Sequence, residues 1–590
     1  MKNNMIFNTA KVVMAALTLG AMTTACSDWD DHYDANGTVT GSATSTLWEN
    51  ISANKNLSDF AALAKKAGYD QVLSNPQTYT VWAPLNGSFD YETLNNMDLA
   101  TMKKQFMQNH VAHFNYPASG SVDESIYMIN EKMKKFVGNG TYTMGGLELV
   151  LPNIPNSNGT LHAINGKLDF GFNIYESINA NDYPLDSVSA YFAKYDMKSL
   201  DVENSVKGPV VDGQITYLDS VLVEYNALAN SMRAYINNED SNYTMILPTN
   251  EAWIEKKQYV DALLDYLPSY QYTNTFYEKY DSIKKSTERD LVDNAYLSDS
   301  LSHLLMVSNL AFNNNRGDNV KLNKLQTGQT LQADSLVSTV GLKFYSEDAA
   351  DLFKDAKRID KSNGAVWVTN TLGFKPWHYK VPIKVEGEYG SNIAGTFKGD
   401  VSYLTVNDAS KNDTVEGRLS NNSYAEVRAN TATSNPEIDY YLPRVYKGKY
   451  VLYICVAPSN INKNTYQPSM LPNQMQIKYG YHENKNNVGM YVEKTLARKV
   501  SNDPTKVDTI RIGEVDFPYA TVGLEKAMPY VRIMSNVTSS KLSVFDRTLR
   551  IDYIYLIPKE LDDIFSSILT ISGKMKVINK QSLKIKFRKQ

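Results

Sequence analysis

Apolar residues in the first 375 positions alternate between helical and strand spacing. The segment NLSDFAALAKKAG at 56–68 places its apolar residues on one helical face and ends in glycine, which predicts a helix. The run TYTVWA at 78–83 leads into Pro84, whose nitrogen cannot donate to a sheet, so a strand is predicted to end there. From about 380, short β-rich runs separated by Asn, Gly, Asp and Pro predict antiparallel strands.

Two pairs of segments repeat along the chain. TYTVWAPLNGSF at 78–89 is echoed by NYTMILPTNEAW at 242–253, and SNGTLHAIN at 157–165 by SNGAVWVTN at 362–370. The repeats predict two homologous domains. The second copy is longer between the two motifs, which predicts an insertion, mostly within 256–310. The segment 211–232 is expected to form a strand and then a helix of the second domain.

This set of motifs resembles the fasciclin domain, over about 45–178 and again over about 183–375. In the first copy Leu85, Gly87 and Ser88 depart from the family pattern, and in the second Asn309 is aligned with His110. The resemblance implies an extracellular module, β-rich with a helical layer, that mediates adhesion or association with matrix and polysaccharide and has no known chemistry. The matching positions, expected to be structural, are Thr80, Pro84, Asn86, Phe89, His110, Asn158 and Gly159 in the first copy, and Thr244, Pro248, Asn250, Trp253, Asn363 and Gly364 in the second.

Two of these positions carry a specific expectation. Asn86 follows the strand and is suited to cap the helix after it. His110 ends an apolar helix, three residues before His113, and the pair lacks a nearby carboxylate or cysteine to complete a metal site. A packing and hydrogen-bonding role is therefore predicted for His110.

The region 379–560 is predicted to be an antiparallel β-sandwich. Its last run, LRIDYIYLIP, is similar to the closing strand of jelly-roll modules that bind carbohydrate. Tyr479, Tyr481 and Tyr491 are candidates for stacking on sugar, but alternating aromatic residues on a sheet are usually core. Both interpretations stay open at this point.

The N-terminus has the pattern of a bacterial lipoprotein signal. Basic residues precede an apolar stretch, and small residues lead to Cys26, the expected lipid acceptor; type-I cleavage near Ala25 is the alternative. An acidic tether at 26–43 resembles the signal that sends some lipoproteins to the outer surface. The other cysteine, Cys455, lies in an apolar run and is predicted to be a buried, inert thiol.

Composition narrows the function classes. With 43% hydrophobic and 21% charged residues the chain is mostly globular, and a formal net charge of −4 argues against a nucleic-acid partner. The sequence has none of the common metalloprotease, nucleotide-binding or serine-hydrolase motifs, so no enzyme activity, cofactor or metal is predicted. The tripeptide Arg316-Gly317-Asp318 suggests an integrin ligand but is short enough to arise by chance.

The sequence therefore predicts a multidomain α+β protein. Its expected parts are a signal peptide (1–25), the tether (26–43), two fasciclin-like domains (44–180 and 181–378), a jelly-roll-like sandwich (379–560) and a basic tail (561–590). The predicted function is a non-enzymatic, lipid-anchored outer-membrane adhesion or scaffold protein that binds an extracellular polymer, glycan or surface protein. The alternative is a glycan-capture protein of a nutrient-uptake system, with the sandwich as the sugar reader.

The insertion is the predicted place for a partner. Tyrosine gives wide contact area at low entropic cost, and the candidate surface comprises Tyr266, Tyr270, Tyr272 and Tyr277. Leucines at helical spacing in the same stretch favour instead an extra helical layer that buries these tyrosines.

Overall fold

The computed structural model describes residues 44–178, 184–266, 294–394, 398–463, 470–485, 488–523, 528–564 and 566. These divide into two compact units. One contains the chain up to 171 together with 198–223, and the other contains 172–197 and the chain from 224 onward. The first continuous stretch of the first unit runs to 171, and the unit resumes at 198.

The first unit combines short helices with a seven-stranded sheet. The helices are α1 (Leu47–Ala53), α2 (Ser58–Lys66), α3 (Tyr69–Val72), α4 (Tyr91–Asn96) and α5 (Leu99–Met102). The strands are β1 (Tyr79–Pro84), β2 (Val111–His113), β3 (Ser121–Tyr127), β4 (Met133–Asn139), β5 (Thr141–Met144), β6 (Leu147–Asn156) and β7 (Gly159–Ile164), in the order β2-β1-β7-β6-β5-β4-β3. β1 and β7 run parallel at the centre of the core, and both are almost wholly buried.

A two-stranded hairpin completes this unit. It consists of β8 (Asp196–Val211) and β9 (Gln214–Asn226), and most of it, 198–223, belongs to the first unit. Val206 and Val221 are buried in the core of the first unit, which is why the hairpin is part of it. The strand predicted after 211 is present, but it does not belong to the second domain as expected.

The second unit begins with a smaller copy of the same central arrangement. Its helices are α6 (Ile174–Ile178), α7 (Asp186–Ala193), α8 (Ala227–Ser231), α9 (Asn250–Leu263), α10 (Asn294–Val307), α11 (Ser346–Asp351) and α12 (Pro376–Tyr379). Its strands are β10 (Tyr243–Pro248), β11 (Ala311–Asn313), β12 (Ser335–Val337), β13 (Lys343–Tyr345), β14 (Ala356–Lys361) and β15 (Gly364–Thr369). β10 pairs antiparallel with β11 and parallel with β15, as β1 pairs with β2 and β7.

The rest of the second unit forms two antiparallel sheets. Their strands are β16 (Ile383–Glu386), β17 (Asp400–Thr405), β18 (Ser423–Arg428), β19 (Glu437–Tyr441), β20 (Gly448–Val456), β21 (Gln474–Lys485), β22 (Val488–Ser501), β23 (Asp508–Phe517), β24 (Tyr530–Ser535) and β25 (Leu549–Pro558). One sheet has the order β17-β18-β25-β20-β23, with β16 also paired to β25, and the other has β19-β24-β21-β22. Buried residues of both sheets belong to one core, so the sheets stabilise each other.

Candidate functional site

The asparagine-glycine pair at the start of β7 holds the first helix to the sheet. The Leu47 backbone N–H donates to Asn158 Oδ1 at 2.8 Å, and Asn158 Nδ2 donates to the carbonyls of Leu73 and Asn75. Asn363 makes the same set of bonds in the second unit, accepting from the Ile174 N–H and donating to Ile236 and Asn238. Ile174 therefore begins the second copy, which explains the boundary at 171.

The threonine and proline positions lie on and at the end of the central strands. Thr80 is buried; its Oγ1 donates to the Phe114 carbonyl and accepts from the Tyr116 N–H, both at 2.9 Å. Thr244 is buried at the same position of β10. Pro84 and Pro248 end β1 and β10, as predicted from their missing N–H groups.

Asn86 caps a helix that precedes it in sequence, so the prediction that it caps the following helix is wrong. The Asp59 N–H, in the first turn of α2, donates to Asn86 Oδ1 at 3.0 Å. In the second copy the Ser187 N–H of α7 donates to Asn250 Oδ1 at 2.9 Å. The cap joins a helix to the end of the following strand, and such a long-range bond has no local sequence signal.

The two aromatic positions after the central strands are packing residues. Phe89 lies against Phe106, with ring centroids 5.5 Å apart. Trp253 is buried in the core of the second unit, 6.0 Å from the His303 ring. Trp253 is thus closed to solvent, whereas Phe89 is partly buried.

His110 is fully buried, and both of its ring nitrogens meet the backbone. Nδ1 donates to the Phe106 carbonyl at 2.7 Å, and Nε2 accepts from the Leu168 N–H at 2.9 Å. Burial lowers the pKa of His110 to about 3, so the ring is neutral at physiological pH. This geometry suits a structural residue.

The alignment of Asn309 with His110 is wrong by one residue. Tyr79 pairs with His113 across β1 and β2, and Tyr243 pairs with Asn313 across β10 and β11. His113 and Asn313 are therefore equivalent positions, and counting three residues back from each aligns Leu310 with His110. The second copy therefore replaces the buried imidazole with a buried aliphatic side chain.

The proposed tyrosine surface of the insertion is only partly described. Tyr270, Tyr272 and Tyr277 lie outside the described residues. Tyr266 is buried, and its hydroxyl donates to the Val522 carbonyl at 2.9 Å, so it does not supply an exposed binding face. Packing against residues of the C-terminal part of the chain is the physical reason.

Of the C-terminal tyrosines named as candidates for sugar stacking, the two whose side chains the structure describes are core residues. Tyr479 and Tyr481 are buried, stack at 5.7 Å and belong to the core between the two sheets. They are therefore not available to stack on sugar. The side chain of Tyr491 lies outside the described part of the structure.

Two other sequence features are also accounted for by local contacts. Cys455 is buried, with its Sγ 3.4 Å from Asp552 Oδ2, and burial raises the thiol pKa, as expected for an inert thiol.

In the Arg316-Gly317-Asp318 loop, Asp318 Oδ2 accepts from the Asp334 N–H at 2.9 Å. Because this carboxylate already binds a backbone N–H of the same chain, the contact weakens the interpretation of the tripeptide as an integrin ligand.

Within the described residues, no group of three or more His, Cys, Asp or Glu side chains is arranged to hold a metal ion. In the same part of the chain, no helix is both long and apolar enough to cross a membrane. Cys26 and the tether at 26–43 lie outside the described residues.

Comparison with known families concerns the first unit. The family model described as "Fasciclin domain" matches residues 55–169. Residues 55–169 form a fasciclin domain. This confirms the resemblance for the first copy, and it assigns that copy to a fold of adhesion proteins rather than of enzymes. No curated protein matches the chain.

Solved structures similar to the chain include a fasciclin domain pair and proteins with carbohydrate binding modules. A FAS1 domain pair from the insect cell adhesion molecule fasciclin I is 12% identical, with 56% of this chain and 99% of that chain covered and a TM-score of 0.19. A family 35 carbohydrate binding module from Clostridium thermocellum is also 12% identical, with 30% and 98% covered and a TM-score of 0.18. The GH26-CBM35 β-(1,4)-mannanase of Podospora anserina is 14% identical with a TM-score of 0.17; 30% of this chain is covered but only 28% of the mannanase chain.

Proposed function

We propose that the protein is a non-enzymatic cell-surface lipoprotein that acts as an adhesion or scaffold module towards an extracellular polymer or a surface protein. The fasciclin domain at 55–169 carries this proposal, because the fold belongs to adhesion proteins. The motif asparagines support it, since their side-chain amides form hydrogen bonds within the fold.

The proposal includes a second fasciclin-like domain at about 172–379. Its support is the shared framework: a parallel central strand pair, an asparagine that binds the first helix, and an asparagine that caps a helix from the end of the central strand. The insertion and the loss of the buried histidine distinguish the second copy.

The lipid anchor is proposed at Cys26, and with it an outer-membrane location facing outward. Its support is the apolar signal that ends in small residues at this cysteine and the acidic tether after it. Metabolic labelling with a fatty-acid probe tests the anchor. Label that persists unchanged in Cys26→Ser would refute it.

Capture from intact cells tests the adhesion role. Beads carrying residues 44–560 are expected to retain a cell-surface polymer or protein, and beads carrying the same fragment with Gly159→Ala and Gly364→Ala, which disrupt both central strand pairs, are expected to retain much less. Equal capture by both would contradict a role for the two domains.

The second candidate is glycan capture by the C-terminal part of the chain, which we take to be the predicted jelly-roll-like sandwich. The observation that favours it is a pair of exposed tyrosines, Tyr389 and Tyr403. Binding to purified polysaccharides that is lost on deletion of 380–560 would support this role, and binding that survives the deletion would contradict it.

A further inference from the structure

Two half-exposed tyrosines lie near the edge of the β17-containing sheet. Tyr389 follows β16 and is 51% exposed; Tyr403, on the edge strand β17, is 50% exposed. A β-carbon built on Gly390 would lie 3.2 Å from the Tyr403 hydroxyl, so the phenol end of Tyr403 rests on the residue next to Tyr389. The two rings therefore belong to one surface.

These tyrosines are exceptional in their surroundings. The large aromatic side chains fully buried in this part of the chain include Tyr424, Tyr440 and Tyr450. Among the described residues from 380 onward, Tyr389 and Tyr403 are the only exposed aromatic side chains, and the exposed aliphatic ones, Met470, Leu542 and Val544, are far from them in sequence. Single exposed apolar residues are normal, but these two tyrosines lie at one edge of the sheet and together form a platform.

Polar groups border the platform. Asn421 Nδ2 donates to Glu388 Oε1 at 3.1 Å and to the Tyr389 hydroxyl at 3.3 Å. Asn421 has a φ of 48°, a left-handed conformation that asparagine tolerates better than most residues. Asn421 and Tyr403 are both exposed, and within the described structure the Tyr403 hydroxyl and the Asn421 Oδ1 make no hydrogen bond.

We propose that Tyr389 and Tyr403 form a binding platform for a neutral polysaccharide, bordered by Asn421 and Glu388. Tyrosine has a flat apolar face for the C–H surface of a sugar ring and a hydroxyl for its polar edge. Amide groups such as that of Asn421 pair with sugar hydroxyls, as the few placed polar groups of a ligand site do. Glu388 disfavours a polyanionic chain, and Lys384, beside Ser420, is paired with Glu386 at 2.7 Å.

This inference deepens the proposed binding role by naming the polymer class, and it rests on that role. Affinity electrophoresis of the full chain in gels containing galactomannan, xylan, mixed-linkage β-glucan or pullulan tests it, with polygalacturonate as the anionic comparator. At least one neutral polymer is expected to retard the protein. The double variant Tyr389→Ala/Tyr403→Ala should weaken that retardation about tenfold or more, because two stacking contacts are lost.

Matched variants separate stacking from general effects. Tyr235→Ala removes an equally exposed tyrosine, 51% exposed in the second unit, and should leave retardation unchanged. Tyr389→Phe and Tyr403→Phe keep the rings and should retain most of the binding. Melting temperatures of all variants should match the parent, because the rings are half outside the fold.

Three results would overturn the platform: no retardation by any neutral polymer, full retardation of the double alanine variant, or retardation by polygalacturonate alone. If the platform fails while beads carrying residues 44–560 still capture a cell-surface partner, the adhesion role stands without it. If capture fails as well, the adhesion role and the platform both fall.

Discussion

Gly159 lies so close to Tyr79 that a β-carbon on it would stand 1.8 Å from the Tyr79 carbonyl oxygen. Gly364 has the same relationship to Tyr243, at 1.9 Å. Both glycines have positive φ angles, 144° and 135°, at the point where the parallel central strands begin to pair. The glycine of the repeated Ser-Asn-Gly motif is therefore required by a close backbone contact that only glycine permits.

Gly159→Ala is expected to destabilise the first unit by about 3 kcal/mol or more, because the added methyl group clashes with backbone and the φ angle is strained. Calorimetry of the full chain should show one transition moving to lower temperature. Gly68→Ala is the matched control: Gly68 also has a positive φ, 77°, but nothing lies within 4 Å of its β-carbon position. It should cost only about 1 kcal/mol, and equal effects of the two changes would contradict the close-contact explanation.

Acid is expected to destabilise the first unit through two buried histidines. Burial lowers the pKa of His110 to about 3 and that of His162 to about 4, both below the ordinary value of 6.5. The unfolded chain takes up these protons as the pH falls below 6.5 while the folded chain does not, so stability is lost on acidification. Between pH 6.5 and 5 the loss is about 2 kcal/mol for each histidine.

Glutamine variants test the pH effect. His110→Gln keeps a donor and an acceptor but cannot take up a proton, so the melting transition identified by Gly159→Ala should depend less on pH between 6.5 and 5. His110→Gln/His162→Gln should reduce the dependence further. An unchanged pH dependence in the double variant would show that other groups control the acid response.

A buried carboxylate fixes the β8–β9 hairpin in the first unit. Asp219 is fully buried; Lys103 Nζ lies 2.5 Å from its Oδ1, and Tyr69 and Gln108 donate to its Oδ2 at 2.6 and 3.1 Å. Asp219→Ala is expected to cost about 2–3 kcal/mol, less than a fully buried pair, because Lys103 is partly exposed. Limited proteolysis should then show new cleavage after Lys207. Glu203→Gln, on the exposed part of the hairpin, should leave cleavage unchanged.

The sequence predicted contacts that are encoded locally and missed those made at a distance. Pro84 reveals its role because its missing N–H ends a strand whatever the distant contacts are. Asn86 was misread because its partner, Asp59, is 27 residues earlier. The hairpin was assigned to the second domain because nothing local shows that Asp219 meets Lys103.

The exposed tyrosines show the same limit on the sheet surfaces. Tyr403 and Tyr481 both lie in alternating strand sequences, yet one is half exposed and the other is buried. The difference arises from position in the sheet: β17 is an edge strand, whereas β21 lies between β24 and β22. Strand order depends on long-range pairing, so a period of two cannot distinguish an exposed ring from a core ring.

The start of the insertion in the second unit is expected to be part of the core. Val260, Leu263 and Leu264 are buried around the end of α9, and Tyr266 follows them into the same cluster. Deleting 258–290 should therefore unfold this unit, as measured by loss of its calorimetric transition. A folded protein after that deletion would contradict this packing and return the insertion to the candidate binding surfaces.

Point variants of Tyr266 separate its packing from its hydrogen bond. Tyr266→Phe removes only the bond from its hydroxyl to the Val522 carbonyl and should cost about 1 kcal/mol. Tyr266→Ala also empties the ring's place in the core and should cost about 3–5 kcal/mol. Tyr235→Ala, at an exposed tyrosine of the same unit, should change stability by less than about 0.5 kcal/mol. If Tyr266→Ala instead melts like the parent but no longer supports capture from cells, Tyr266 contacts a partner. Its burial would then not contribute to the stability of the second unit.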